Sequence, residues 1–328
     1  MPVMRDVFPQ VVQLRTLFFA FGRAYRAGKA NRDAQFFFFN LEHELLALQR
    51  ELLQGSYRPG PFRFFEIQDP KKRVISVAPF RDRVVHHAVV GCLEPFYEKL
   101  FISDSYATRK GKGTHRAIRK AQQLLQRNEW YLKMDISGYF ASIDHAILLQ
   151  TLGKKLKDPK MLQLVKTIVD HPQFETVGLP IGNLTSQFFA NVYLDPFDHW
   201  VKDGLGTKGY MRYMDDFVFF SQEKEELKKL RKKVEAKLDT CFHLQTKASA
   251  TQLNTRLHGL GFLGMRVFPA ILRLRGKNLR RSLGHLRLRE RQWKDGSLPE
   301  PNFLQSAQSI MGHLGGANTL RLRRALFG

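Results

Sequence analysis

Hydrophobic residues in the first 55 positions recur at mostly helical spacings. Leu41, Leu45, Leu46, Leu48, Leu52 and Leu53 form a stripe that predicts an amphipathic helix, and Gly55 is a natural stop. The segment YRPG (57–60) is a turn-rich link. The pattern then changes. FRFFEI (62–67) and RVISV (73–77) read as two strands of a hairpin, with Asp69, Pro70, Lys71 and Lys72 at its tip. A helix is expected from about Asp82 to Leu100. A basic loop, RKGKGTHR (109–116), leads into another helix ending near Asn128.

In the middle of the chain strands and helices mix. WYLKMDI (130–136) is a short apolar strand that finishes in an acid. Residues 145–157 and 160–170 suit helices, and GLPIGN (178–183) is a turn opening a helix from about Leu184 to Val201. Two apolar runs, 210–214 and 217–221, flank Asp215 and Asp216, which predicts a hairpin with acids at its tip. A charged helix over 223–239, a strand near 259–268 and a second near 271–275 follow. The order is α+β, without strict βαβ alternation. No internal repeat and no low-complexity stretch is present.

The 328 residues suit two domain-sized units or one large enzyme with subdomains, and 43% hydrophobic content with 27 Phe provides a sizeable core. Charge changes the picture most: 53 Lys and Arg face 30 Asp and Glu, a formal net charge of +23. Such an excess favours a polyanionic partner, nucleic acid before an anionic membrane surface. Residues 266–328 concentrate the effect, with thirteen Lys and Arg against three acids, and suggest a helical surface that tracks phosphates. The only cysteines, Cys92 and Cys241, form no CxxC pair, which argues against a disulfide framework or a Cys-rich zinc site. His86, His87 and His115 lack metal-site spacing. No apolar run approaches the ~18 residues of a membrane helix. The opening MPVMRDVFPQ lacks the apolar stretch of a secretory leader, so a cytoplasmic protein without membrane attachment is expected.

The candidate chemistry lies in three aspartates. Asp135 ends one apolar strand, and Asp215 and Asp216 sit between two others. Carboxylates in apolar surroundings repel one another and favour protonation unless a cation offsets them. Hard oxygen donors suit Mg²⁺, which keeps positions open for water and phosphate oxygens. Two such ions about 3.5–4 Å apart serve phosphoryl transfer by activating the attacking oxygen and stabilising the leaving one. A lone Asp-Asp pair is otherwise an ordinary solvated turn; here the apolar flanks make the pattern more specific.

YMDD (213–216) followed by FVFF resembles the central catalytic motif of reverse transcriptases. LKMDISGYFASID (132–144) resembles their first palm motif, and LPIGNLTSQFFANVYLDPFD (179–198) the next palm block. Leu244 and Lys247 in HLQTK resemble the motif whose lysine lies near the incoming triphosphate. Gly261, Phe262, Leu263 and Gly264 resemble the primer-grip hairpin. KKRVISVAPFRDRVVHHA (71–88) and YATRKGKGTHRAI (106–118) resemble fingers motifs, so the blocks run in family order over about 57–268.

The resemblance implies a right-hand polymerase with a ferredoxin-like palm. An N-terminal helical extension would span 1–60, fingers 61–130, palm 131–265 with a fingers-like insertion at about 145–180, and a basic helical thumb 266–328. It implies RNA-directed DNA synthesis on template RNA and an RNA–DNA heteroduplex with deoxynucleoside triphosphates. Two Mg²⁺ ions, or Mn²⁺ in their place, would sit on Asp135, Asp215 and Asp216 with help from the Ile136 carbonyl. Lys71 or Lys72, with Arg73, would lie over the triphosphate, and Lys247 near the departing pyrophosphate. Phe140, five residues after Asp135, matches the ring that excludes a 2′-hydroxyl; as a plain residue it also suits a core. Asp144 reads as a structural partner of a basic side chain. Gly182 and Gln187 belong to the nucleotide-facing block, and Arg109, Lys110, Lys112 and Arg116 to a nucleic-acid-contacting loop. Arg280, Arg281, Arg287 and Arg289 belong to the basic tail.

One block departs from the commoner pattern. Residues 181–187 read IGNLTSQ where most bacterial relatives carry a QGxxxSP-like sequence. The IGxxxSQ form is similar to reverse transcriptases of diversity-generating retroelements. These make adenine-mutagenised cDNA and work with a small basic helical-bundle accessory protein that forms a ring. Ile181 offers no hydrogen bond where Gln is common, which implies relaxed checking of the nascent pair, unless the side chain simply packs. Retron, group II intron-like and abortive-infection enzymes, and a non-catalytic RNA-binding scaffold on the same fold, remain open alternatives.

Overall fold

A computed structural model describes residues 2–26, 31–68, 72–173 and 175–327. The chain opens with helices α1 (Phe8–Val11), α2 (Leu14–Arg26), α3 (Arg32–Phe39) and α4 (Leu41–Gln54). Gly55 ends α4 in the left-handed region (φ 68°), and its N–H closes on the Glu51 and Leu52 carbonyls, the stop its position predicts. A hairpin follows, β1 (Arg63–Ile67) with β2 (Arg73–Val77). Next come α5 (Phe80–Leu100), α6 (Thr114–Arg127), β3 (Trp130–Asp135), α7 (His145–Lys155), α8 (Pro159–Val169) and α9 (Leu184–His199). Asp144 and Asp158 cap α7 and α8 by accepting hydrogen bonds from the Ile147 and Met161 N–H groups. Then come β4 (Tyr210–Tyr213), β5 (Asp216–Ser221), α10 (Lys224–Phe242), β6 (Gln252–Thr255), β7 (Leu260–Phe262), β8 (Met265–Val267) and β9 (Leu272–Leu274). Helices α11 (Gly276–Lys294), α12 (Glu300–Gly315) and α13 (Leu320–Phe327) close the chain.

The central sheet is antiparallel, in the order β4-β5-β3-β6. Its strands alternate faces, and both faces are covered. Leu132, Met134, Phe217 and Phe219 join a core that includes α5, α9 and the N-terminal helices. Tyr131, Met211, Val218 and Phe220 point the other way, into a second core with α6 and the β7-β8-β9 sheet. The N-terminal helices therefore share a core with the sheet.

Several expectations shift. The strand expected over 259–268 is two, because Leu263 (φ 46°) and Gly264 (φ 83°) turn the chain between β7 and β8. β6, a polar edge strand with the sequence QLNT, had no apolar signal to announce it. The expected divisions at 130/131 and 265/266 lie one residue past the starts of β3 and β8. The expected hairpin tip, including Lys71, lies outside the described residues except for Lys72.

Candidate active site

Asp135 is the last residue of β3 and pairs directly across from Asp216, the first residue of β5. Asp216 is also the partner of Tyr213 at the end of β4, so Met214 and Asp215 form the tight turn between them. Met214 takes φ 57°, and the Asp215 carbonyl accepts a hydrogen bond from the Ile136 N–H at 3.3 Å. Register alone thus brings together acids about 80 residues apart in sequence.

Burial and crowding show in their acidities. Burial pushes the Asp216 carboxyl up to about 7; Lys133 opposes this, while Asp135 and Asp215 add to it. Asp215 is raised too, by burial and then by Asp135, with Arg73 and Arg212 pulling it down. Lys133 Nζ reaches Asp216 Oδ2 at 2.9 Å, while the buried Asp216 Oδ1 has no hydrogen-bond partner among the described residues. That orphaned oxygen, beside two carboxyls whose acidity burial weakens, fits a cation that would offset their charge. Among the described residues no three acidic, His or Cys side chains already close round one point. Mg²⁺ in phosphate sites takes one or two carboxylates and completes its shell with water and phosphate oxygens, so the pair at the strand ends suffices.

The turn is braced from beneath by a residue the sequence reading passed over. Arg212, fully buried on β4, pairs with the equally buried Asp198 of α9, its NH2 group 2.6 Å from Oδ2. It also donates to Asn191 Oδ1 at 3.2 Å and to the Met214 carbonyl at 2.9 Å. Its position in the apolar run YMRYM was the available signal: a charge there needs a buried partner.

Other expected residues gather around the acids. The Lys247 N–H donates to the Asp135 carbonyl at 2.8 Å, because 245–247 runs beside the end of β3 and Thr246 bridges to Ile136. Phe140 is half-buried in the 3₁₀ turn after β3. The Ile181 carbonyl accepts from the Ser76 N–H at 2.8 Å, joining the turn before α9 to β2. Gly182 there has φ 113°, and a Cβ would stand 2.7 Å from Ile75 Cγ2, so no larger residue fits without moving the hairpin. Gln187 lies half-buried in the first turn of α9. Arg73 is exposed, and its charge is felt at Asp215; Lys72 pairs across the hairpin with Glu66 at 2.9 Å.

The basic segments divide. Arg109, expected on the nucleic-acid-facing loop, is a correction: its side chain is 4% exposed, pairs with Glu98 and bonds the Ile102 and Ser105 carbonyls. It stabilises the loop from within. Lys112 is half-buried and donates to the Ser103 carbonyl, while Lys110 and Arg116 are exposed. Arg281 and Arg289 line a groove of about 430 Å³ between α11 and α12, whereas exposed Arg280 and Arg287 lie outside that lining. Asp144 caps α7 and accepts from His243 at 3.2 Å, a structural role. A cavity of about 560 Å³ bordered by α4, residues 55–59 and α8 stands apart from the acids. No helix among the described residues is long and apolar enough to cross a membrane.

Comparisons with known proteins agree with this geometry. A family model described as reverse transcriptase (RNA-dependent DNA polymerase) matches residues 67–267, which contain all three aspartates. YkfC of Escherichia coli K12 is 27% identical over 270 residues, covering 68% of this chain and 71% of that protein. The group II intron-encoded protein LtrA of Lactococcus lactis subsp. cremoris is 29% identical over 170 residues, 49% of this chain and 28% of LtrA. Telomerase from Candida albicans superimposes with a TM-score of 0.50 at 11% identity, over 66% of this chain and 47% of that one, which speaks to fold alone. The chain thus spans less than a third of LtrA and under half of the telomerase chain, and its architecture is that of a right-hand polymerase. With the family match covering most of its length and both strand ends of the acidic cluster, this chain belongs to the reverse transcriptase family.

Proposed function

We propose that the chain extends a primer 3′ end with deoxynucleotides along an RNA template. The observation that carries this reading is the register of β3 on β5, which sets Asp135 opposite Asp216 beside the Asp215 turn. Mg²⁺ or Mn²⁺ ions held there, with the Ile136 carbonyl, would supply the positive charge that eases attack of the 3′-hydroxyl on the α-phosphate and release of pyrophosphate. The protein's own residues do the rest. Arg73, and Lys71 or Lys72, hold the triphosphate as charge-assisted donors, with Lys247 toward the pyrophosphate. Phe140 lies beneath the sugar and excludes a 2′-hydroxyl. The hairpin over 261–264 seats the primer end. Lys110, Lys112, Arg116 and the arginines of α11 hold phosphates of the template and heteroduplex. The working divisions are an N-terminal helical extension, fingers, palm and thumb, with the thumb helices starting at Gly276.

The finer reading is a diversity-generating retroelement enzyme that makes error-prone, adenine-mutagenised cDNA with a ring-forming basic accessory protein. Its support is IGNLTSQ at 181–187, where Ile181 brings an apolar side chain to the nucleotide-facing turn. A group II intron-like enzyme is the second reading, favoured by the similarity to LtrA. Primer extension on homopolymer and cognate RNA with Mg²⁺, with and without the accessory protein, tests both. Synthesis that needs the structured cognate RNA and the accessory protein supports the first; efficient copying without them supports the second. Ile181→Gln should reduce misincorporation opposite adenine, and an unchanged error spectrum would remove Ile181 from the account. Asp215→Asn should lower synthesis at least about a thousandfold while RNA binding persists. No synthesis by the unaltered chain on any template would leave an RNA-binding scaffold.

A further inference from the structure

Lys133 lies two residues before Asp135 on β3, so both side chains leave the same face of the sheet. That face carries the β7-β8-β9 sheet. The Lys133 ammonium makes three contacts there: Asp216 Oδ2 at 2.9 Å, the Gly261 carbonyl at 3.1 Å and the ring of Phe262, whose centroid is 6.0 Å away. Lys133 and Asp216 are mostly buried, so their pairing is screened less than a surface one. The other described side-chain bonds from the α6–β3 region to this small sheet reach its base: Tyr131 to the Gly259 carbonyl, and Gln122 and Gln126 to the Phe268 and Pro269 carbonyls. Lys133 alone among these reaches the strand that leads to the Leu263-Gly264 turn.

We propose that Lys133 is a positioning residue with two opposed effects. It fixes the 261–264 hairpin against Asp216, and it occupies a carboxylate oxygen that a divalent cation would otherwise take. Divalent cation binding at the acids therefore competes with the ion pair, and the primer seat senses the outcome through Gly261. The proposal rests on the polymerase reading for the word primer, but the competition itself does not require catalysis. A lysine there lowers cation affinity by adding positive charge beside the acids and by holding Asp216 Oδ2. It improves primer seating by holding the hairpin.

The test compares unaltered protein with Lys133→Met and Lys133→Arg. Free Mn²⁺ is followed by electron paramagnetic resonance during titration of the protein without nucleic acid. Lys133→Met should bind Mn²⁺ about three- to tenfold more tightly. In primer extension at saturating metal, its KM for primer–template should rise by a similar factor, with a smaller change in kcat. Lys133→Arg, which keeps the charge, should return both values most of the way. A structural defect would weaken both kinds of binding together, and a circular-dichroism melt of each variant confirms folding. Unchanged or weaker Mn²⁺ binding by folded Lys133→Met overturns the competition, and an unchanged primer KM overturns the positioning role. If the unaltered chain makes no DNA, the polymerase reading fails while the Mn²⁺ titration still decides the competition.

Discussion

Two hairpins approach the same three aspartates. β4–β5 is buried along nearly its whole length, with Tyr210, Phe217 and Phe219 in the core and Arg212 bonded beneath the turn. β1–β2 is exposed along β1 and half of β2, and it reaches the acidic centre through the Ser76–Ile181 backbone bond and the charge of Arg73. The first hairpin holds its acids by packing, so its substitutions should cost stability and activity together. The second is mostly exposed and adds little to the core, so its substitutions should leave the fold intact and act on substrate binding.

Arg212→Met is the strongest probe of the buried side. It leaves Asp198 charged and buried beside Tyr210, and should cost about 3–5 kcal/mol of unfolding free energy. A chemical denaturation series checks this. The double variant Arg212→Met with Asp198→Asn should recover part of the loss, since neither charge is then stranded. A loss below about 1 kcal/mol in the single variant would mean that packing, not the ion pair, holds the turn.

Asp195 tests the same layer with the opposite sign. It sits one turn before Asp198 on α9, and its Oδ1 lacks a hydrogen-bond partner among the described residues. Burial, and then Asp198, push its carboxyl up to about 6, against the pull of His199, Arg212 and Lys155; the Tyr97 hydroxyl feels its charge. The folded state holds this proton more tightly than the unfolded state does. Stability therefore falls as pH rises from about 4 to about 6, and the full cost is present above that. Asp195→Asn should raise stability by about 1–2 kcal/mol at pH 7.5, with the gain fading toward pH 4. Melting curves of both proteins at pH 4, 6 and 7.5 read it, and an equal shift at all three would assign the effect to packing.

The contrast also explains what could be read from the sequence. An apolar run ending in an acid announces a strand with a carboxylate at its tip, so Asp135, Asp215 and Asp216 were visible, as was the α4 stop at Gly55. For Arg212 the run YMRYM signalled only that some buried partner was needed; which partner it and Lys133 take, Asp198 on a helix and Asp216 on the next strand, is set by register and packing rather than by spacing. Arg109 looked like its exposed neighbours in RKGKGTHR until Glu98 and the Ile102 carbonyl gave it an interior. The β7–β8 turn was legible only through the hairpin resemblance of 261–264 and not in the hydrophobic pattern, since Leu at φ 46° is a conformation that residue type seldom signals. Polar side chains in a sequence state what they are able to bond, and tertiary contacts decide which bond forms.

On the exposed side the expected effects are smaller and more selective. Arg73→Ala should raise the KM for a deoxynucleoside triphosphate about tenfold, the scale of one charge-assisted hydrogen-bonded contact, with the melting temperature unchanged. Lys72→Ala should change that KM less than about twofold, because its ammonium is already paired with Glu66 and both groups stand in solvent. Single-nucleotide incorporation on a fixed primer–template separates the two. The order matters more than either value. Arg73 projects charge toward Asp215, whereas Lys72 spends its charge across its own hairpin. If Lys72→Ala proved the more damaging, the Lys72–Glu66 pair would have to open when the triphosphate binds, and the exposed hairpin would be a closing element whose resting form differs from its working one.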